Sequence, residues 1–316
     1  MFVVGIDIGG MTIKAGLIDE NGKILQKAVC DTLPERNYKE IVKDLSKLVH
    51  TLCEKQGISI DVLGGVGIGS PGAIDCNKGI IVYAGNLNCK NAPLVQELGK
   101  YINVPIYLGN DADCAALGET KYGSGEGVAN AIMVTLGTGI GTGFIINNQI
   151  LQGGLGIGGE GGHICIEVDG QQCTCGEKGC WEAYASATAL IRLTKEAMAK
   201  DKNSLLHKVA SEQGEVNGRT SFIAYKKGDK TAIELVNKYV KYLATGLISY
   251  VNVFRPQIII LGGGVSNEGE YFIKMVEDYV KEHAFGKSFN KICKIVGATL
   301  GNDAGIIGAG MLAMGK

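Results

Sequence analysis

Apolar positions along the chain follow two rhythms, one of strands and one of helices. Phe2 to Ile8 is a continuous run rich in Val and Ile that ends in Asp7-Ile8-Gly9-Gly10. Thr12 to Asp19 alternates, Asn21-Gly22 is a hairpin turn signal, and Lys23 to Cys30 supplies a third strand, so the chain opens as an antiparallel meander. Tyr38 to Gln56 changes to helical spacing, with Ile41, Leu45, Leu48, Val49 and Leu52 on one face and Gly57 at the end. Gly64 to Gly69 reads as a short buried strand running into Ser70-Pro71-Gly72. Val104 to Leu108 reads as another, delivering Asn110-Asp111 at its carboxyl end before a helix from about Ala112 to Tyr122.

Gly123-Ser124-Gly125-Glu126-Gly127 is the expected domain crossing, and after it the opening pattern recurs. Ala131 to Leu136 is a strand, Gly137-Thr138-Gly139-Ile140-Gly141 a Gly-rich turn, and Thr142 to Asn147 a second strand. Such a repeat predicts two similar halves facing each other across a cleft. Helical stretches follow at Trp181 to Lys200, Ala232 to Phe254 and Tyr271 to His283. Strands follow at Gln257 to Leu261 and Ile292 to Gly297, with a closing helix from Asp303 to Met314. Strands alternating with helices predict an α/β fold. The expected division is 1–122 with a return near 300–316 as the smaller N-terminal domain, and 123–299 as the larger one.

Composition narrows the class. Hydrophobic residues make up 46% and charged residues 20% of 316, as in a soluble globular protein with a sizeable core. A net charge of −1 provides no basic field for nucleic acid or an anionic membrane. No apolar run reaches the roughly 20 residues that a bilayer requires. The bias lies in 48 Gly against five Pro, clustered where apolar runs end, at points where backbone turns sharply or approaches a ligand. No signal peptide is visible, so the ten Cys are expected to be reduced thiols in the cytoplasm.

The most chemically dense stretch runs from Gly159 to Glu182. His163, Cys173, Cys175 and Cys180 form an H-x9-C-x-C-x4-C set, and Cys3His is a closed structural zinc site. The competing reading is three cysteines brought together by chance as buried small hydrophobes. Against it, C-x-C-G-x-x-G-C is too rich in Cys and Gly for a core strand. Glu160 and Glu182 flank a set that already has four ligands and are well placed to face a hydroxyl-rich ligand beside it.

Three Gly-rich turns each follow a buried strand: Gly9 and Gly10; Gly137, Thr138, Gly139 and Gly141; and Gly262, Gly263 and Gly264. Backbone N–H groups in such turns form cradles for phosphate oxygens. Neither a P-loop nor a dinucleotide-binding fingerprint is present. Asp7 stands where a carboxylate reaches Mg²⁺ through water, or else simply caps its turn. Asp111, at the carboxyl end of a strand, is the candidate base, able to accept a proton from a hydroxyl that attacks phosphorus. Asn110 beside it offers both a donor and an acceptor. The alternative is that this cluster caps the next helix, a role assigned here to Asp113 so that Asp111 stays free.

These motifs together resemble the ROK family of sugar kinases and repressors, within the actin-like ATPase superfamily. The carriers are DIGG at the start, SPGAID at 70–75, GNLN at 85–88, NDADCAALGE at 110–119, GTGIGTG at 137–143, GEGGH at 159–163, CTCGEKGCWE at 173–182 and LGGGV at 261–265. The resemblance implies two ribonuclease H-like domains of the actin-like ATPase type, with Asp111 as catalytic base. It implies sugar contacts from Asn86, Asn110, Asp111, Glu160, His163 and Glu182, with His163 serving zinc through its other ring nitrogen. Asp7, Gly9, Gly10, Thr12 and the turns at 137–141 and 262–264 would hold ATP with Mg²⁺, and Zn²⁺ would be structural. A homodimer is implied as well. Two departures stand out. Met11 replaces the family's Thr after DIGG and removes a hydroxyl. Gly161 replaces a branched apolar residue between GE and GH, which is expected to loosen that loop. The family's repressors carry a DNA-reading segment ahead of this region, and the hairpin here begins at Phe2.

The expected activity is ATP-dependent phosphorylation of a hexose. Two Glu, one Asn, one Asp and one His supply many acceptors and few cations, which suits a neutral sugar. Among the family's neutral sugars, glucose phosphorylated on its 6-hydroxyl is the first expectation and N-acetylmannosamine the second. A sugar sensor without turnover, and an ATPase that activates a partner enzyme, are the readings from other classes.

Overall fold

A computed structural model of the chain describes residues 1–154, 156–288 and 291–315. Its elements in order are β1 (Phe2–Ile8), β2 (Thr12–Ile18), β3 (Ile24–Asp31), α1 (Tyr38–Gln56), β4 (Leu63–Ser70), β5 (Ala73–Asp75), β6 (Ile80–Ala84) and β7 (Cys89–Ala92). Next come α2 (Leu94–Leu98), β8 (Ile106–Asn110), α3 (Asp111–Tyr122), β9 (Ala131–Leu136), β10 (Ile140–Ile146), β11 (Gln149–Ile150), α4 (Glu182–Ala185) and α5 (Ala187–Lys200). The chain ends with α6 (Leu205–Gln213), α7 (Thr220–Lys226), α8 (Lys230–Phe254), β12 (Ile258–Gly262), α9 (Glu270–His283), β13 (Lys294–Gly297) and α10 (Ala304–Ala313). None of the described helices is long and apolar enough to cross a membrane.

The expected repeat is visible in the sheets. One five-stranded sheet has the order β3-β2-β1-β4-β8, and the other has β11-β10-β9-β12-β13. Each therefore begins as an antiparallel meander and is completed by two later strands. In the first sheet β1 pairs antiparallel with β2 and parallel with β4, which pairs parallel with β8. A third sheet, β5-β6-β7, was not foreseen, because its strands are three to five residues long and carry little alternation.

Two compact units emerge. One comprises Met1–Met133, Gly143–Gly159 and Thr299–Lys316, and the other Val134–Thr142 and Glu160–Ala298. In the first, Val4, Ile6, Ile13, Ala15 and Leu17 of the sheet pack with Ile41, Leu45, Val49 and Leu52 of α1. Helix α1 forms where its pattern predicts: the Asn37 side chain accepts from Lys39 N–H, and Gly57 at φ 71 returns its N–H to Cys53 and Glu54 carbonyls. On the other face lies α10. A Cβ at Gly5 would collide with Ile306 O, one at Gly67 with Ala309 O, and one at Gly308 with Cys114 O on α3. The helix thus rests on bare backbone of both sheet and helix.

Two readings change. The helix expected from Trp181 to Lys200 is broken at Ser186, which is extended (φ −77, ψ 168) and caps α5 by accepting Ala189 N–H at 3.1 Å. The break frees Ala187 N–H to bond Gly137 O at 2.9 Å. The cap of α3 is Asn110, not Asp113: Asn110 Oδ1 accepts from Ala112 N at 2.8 Å and Asp113 N at 3.3 Å, whereas Asp113 is buried in the first turn.

Within the first unit, the wholly buried Glu119 fastens two chain segments. One oxygen accepts Leu300 N–H at 2.7 Å, and the other accepts Ser124 N–H at 2.9 Å and lies 3.3 Å from Thr299 Oγ1. Removing such an acceptor strands buried donors at about 1–3 kcal/mol each. Glu119→Ala should therefore lower stability by about 3 kcal/mol, read as a thermal midpoint lower by several degrees; an unchanged midpoint would show that the donors re-pair without it.

Candidate active site

In the first unit the site is built on strand ends. Asp7 is paired with Gly69 on β4, and Ser70 of β4 with Asn110 of β8, so Asp7 and Asp111 end strands on either side of β4. Asp111 Oδ1 accepts Ala112 N–H at 2.9 Å, and Asn110 Nδ2 donates to Gly72 O at 3.2 Å. Capping occupies the acceptor of Asn110, so what it can offer a ligand is its second amide hydrogen. Asn86, on a 3-10 turn at Gly85–Leu87, stands beside the turn at Gly9 and Gly10, its Nδ2 3.8 Å from where a Cβ of Gly10 would lie. Met11 at the tip of that turn is 85% exposed. Thr12 opens β2 opposite Asp31, and its carbonyl accepts Gly9 N–H at 3.0 Å, so the hairpin keeps its register.

Burial decides the electrostatics here. It is the main cause that raises Asp7 to about 6, with the Asp111 charge adding to the rise and Lys14, its cross-strand neighbour, opposing it. Burial likewise lifts Asp111 above the usual carboxylate range, against the pull of its bond from Ala112 N–H.

In the second unit the Gly-rich turns and the cysteine loop meet. Gly137 N–H bonds Gly139 O at 3.1 Å, and Gly263, at φ 84, lies so close to Leu136 that a Cβ there would fall 2.6 Å from its carbonyl oxygen. Glu182 Oε2 accepts Ile140 N–H at 2.9 Å, while Oε1 lies 3.2 Å from Thr174 Oγ1 and 3.8 Å from Cys173 Sγ. One carboxylate therefore ties the turn at 137–141 to the cysteine loop. A cavity of about 490 Å³ runs beside Gly264 and Val265, lined also by Gln213, Asn217, Arg219 and Glu268. Nothing in the sequence pointed to it, since residues 213–219 carry no motif and reach it only because α6 and α7 fold back.

The predicted metal ligands do converge. Ligand atoms of His163, Cys173, Cys175 and Cys180 lie within 4.8 Å of one another. Cys175 and Cys180 sulfurs are 3.6 Å apart, and Cys173 Sγ is 3.7 Å from His163 Nδ1. With bonds of about 2.3 Å to sulfur and about 2.0 Å to nitrogen, corners of a zinc tetrahedron stand about 3.5–3.8 Å apart, so the residues fit that ion. The loop is shaped by Cys173 N–H to Glu177 O at 2.8 Å and by Gly176 at φ 101. Trp181 then anchors it: its ring is buried against Gly246 of α8, and its Nε1 donates to Tyr242 O at 2.9 Å.

Gly161 does not loosen its loop. Its N–H donates to Thr142 Oγ1 at 2.8 Å, and its carbonyl accepts from the Tyr250 hydroxyl at 2.6 Å. Those two oxygens fill the space where a Cβ would stand, and Trp181 meets Tyr250 edge-on with ring centroids 5.6 Å apart. These two hydrogen bonds of the Gly161 backbone hold the turn between Glu160 and His163.

A profile of the ROK family matches residues 3–316. A curated glucokinase of Thermotoga maritima is 36% identical over 97% of this chain and 95% of its own length. One of Streptomyces coelicolor is 34% identical over 98% and 96%. Among solved structures, a ROK family glucokinase from Streptomyces griseus, in complex with glucose and AMPPNP, superposes with a TM-score of 0.85 at 32% identity over 100% of both chains.

Two outcomes are expected from this geometry. Gly161→Val should cost about 1–3 kcal/mol through overpacking against Tyr250 and Thr142. Tyr250→Leu in the same chain vacates the space, so the double variant should melt above the sum of the two single losses; strict additivity would mean that the residues do not share it. Asp7 has a folded pKa raised to about 6 from 3.8. Its contribution to the stability of the ligand-free protein is therefore present below pH 4 and lost as pH rises through about 6. Asp7→Asn should accordingly raise the melting temperature at pH 8, by at most about 3 kcal/mol equivalent, and change it little at pH 4. Equal shifts at both values would refute the burial account.

Proposed function

The chain belongs to the ROK family, and on that premise we propose that it is an ATP-dependent hexose kinase whose acceptor is glucose, phosphorylated on its 6-hydroxyl. The observation that carries the reading is Asp111: a half-buried carboxylate at the end of β8, in a sheet whose first turn is Gly9-Gly10 and whose neighbouring strand end carries Asp7. The glucokinase relatives support the choice of sugar.

In the proposed reaction Asp111, with Oδ1 held by Ala112 N–H, takes the hydroxyl proton as the sugar oxygen attacks the γ-phosphorus. Its raised pKa suits a base that must hold the proton briefly and release it. We assign sugar binding to Asn86, Asn110, Asp111, Glu160, His163 and Glu182. Phosphates are assigned to the turns at 9–10, 137–141 and 262–264, with Thr12 beside the first, Mg²⁺ to Asp7 through water, and the nucleoside to the cavity beside Gly264 and Val265. Zinc, held by His163 Nδ1 and the three thiolates, would fix the shape of the loop; its four protein ligands leave no open position for a substrate. The His163 ring would then present Nε2 to the sugar. A homodimer working in the cytoplasm is proposed on the family resemblance.

The test is ADP release from ATP over a panel of glucose, mannose, allose, fructose, N-acetylglucosamine and N-acetylmannosamine. Glucose should give the highest kcat/KM, and Asp111→Asn should lower kcat by about 10²–10⁴ with sugar binding retained. An amino sugar with a kcat/KM ten times that of glucose would replace the substrate. Sugar binding without ADP formation would make the protein a sensor, and near-normal turnover in the variant would make Asp111 structural.

A further inference from the structure

Cys165 lies outside the four-residue cluster but directly across a strand pair from one of its members. Ile164–Ile166 runs antiparallel to Gly179–Trp181: Ile166 N–H donates to Gly179 O at 2.9 Å, Trp181 N–H donates to Ile164 O at 2.8 Å, and Cys165 and Cys180 are bridge partners. The hydrogen bonds flank the cysteine pair instead of joining it. Such a non-hydrogen-bonded pair brings Cα atoms to about 4.5 Å with both side chains on one face. That spacing lies within the range of about 4.4–6.8 Å usual for a disulfide. The Cys165 sulfur already leans over the opposing strand, 3.0 Å from where a Cβ of Gly179 would stand. Cys165 is exposed and Cys180 is buried.

We propose that Cys165 is an oxidation site: a peroxide converts the Cys165–Cys180 pair into a cross-strand disulfide and so withdraws Cys180 from the metal cluster. The Cys165 thiolate attacks one peroxide oxygen, the O–O bond breaks, and Cys165 becomes a sulfenic acid while one water leaves. The Cys180 sulfur then attacks the Cys165 sulfur, the S–O bond breaks, and hydroxide departs to take up a proton as a second water. Two electrons pass from the thiol pair to one peroxide. His163, Cys173 and Cys175 are left as three ligands, zinc is lost, and the loop that carries His163 and leads into Glu182 is released. Sugar binding then weakens until a dithiol reductant and zinc restore the site. The release step rests on the zinc assignment made above; the disulfide itself rests only on the strand pairing.

The experiment treats reduced, purified protein with hydrogen peroxide. It follows zinc with a chromogenic chelator and maps the products by peptide mass spectrometry without reduction. Expected are one zinc released per chain, a peptide pair joined through Cys165 and Cys180, and a several-fold rise in the KM for sugar, all reversed by dithiothreitol and zinc. Cys165→Ser, with wild-type zinc content and turnover before treatment, should release zinc at least ten-fold more slowly and give no joined peptide. Equal release rates in the two proteins, or bridges confined to Cys173, Cys175 and Cys180, would overturn the proposal. Protein that carries no zinc as purified would overturn the metal assignment and the release step, and the peptide map would still decide the disulfide.

Discussion

Close approach of one backbone to another is the constraint on which this structure turns. Helix α10 rests on β1, β4 and α3 at Gly5, Gly67 and Gly308, where no side chain separates the elements. Dispersion contacts and shape matching are then made by main-chain atoms, and the tolerance for error is small, because even one methyl group would collide. The same device sets the second unit. Gly246 admits the Trp181 ring to the surface of α8, and Gly139 leaves room for the Glu182 carboxylate. Glycines thus serve close packing of elements as well as turns.

What the close packing achieves is the placement of charge. Asp7 and Asp111 sit at strand ends where burial penalises their ionised forms, and the Asp111 charge makes Asp7 harder still to ionise. A cation beside them would offset that penalty, which is the ground for the Mg²⁺ proposed at Asp7. Glu119 shows the opposite use of a buried carboxylate. Its oxygens are saturated by N–H and hydroxyl donors from two segments, and its work is structural.

The cysteine loop joins these themes. Burial, followed by the adjoining Cys175 and Cys173 thiols, pushes the Cys180 thiol up to about 12. The loop reaches the rest of its unit through Trp181 on α8, through Glu182 on the turn at 137–141, and through the Tyr250 hydroxyl on Gly161. The cysteine cluster, the Gly-rich turn at 137–141 and the Glu182 carboxylate thereby share one mechanical unit.

Much of this was legible in the sequence, for physical reasons. Periodicity and caps are local, so α1, α3, α8 and α9 fall close to where the pattern of apolar residues places them, and the two Gly-rich hairpins announced the repeated sheet. The spacing of His163, Cys173, Cys175 and Cys180 spoke for a metal because four ligands within eighteen residues can close on one ion with little chain to order. Other features depend on residues far apart in the chain. The cap of α3 is itself local, but the amide group of the same Asn110 is held by Gly72, thirty-eight residues away. Gly161 read as a weakness because its compensation, the Tyr250 hydroxyl, lies eighty-nine residues later on another element. The cavity beside Gly264, the clamp of Glu119 and the pairing of Cys165 with Cys180 likewise arise only when separate segments are packed together. Sequence alone determined the longer strands and helices, the chemistry available and the family, but not β5 to β7, α6 or α7; tertiary packing decided which polar atoms were already engaged, because hydrogen bonds and burial depend on distance in space and not along the chain.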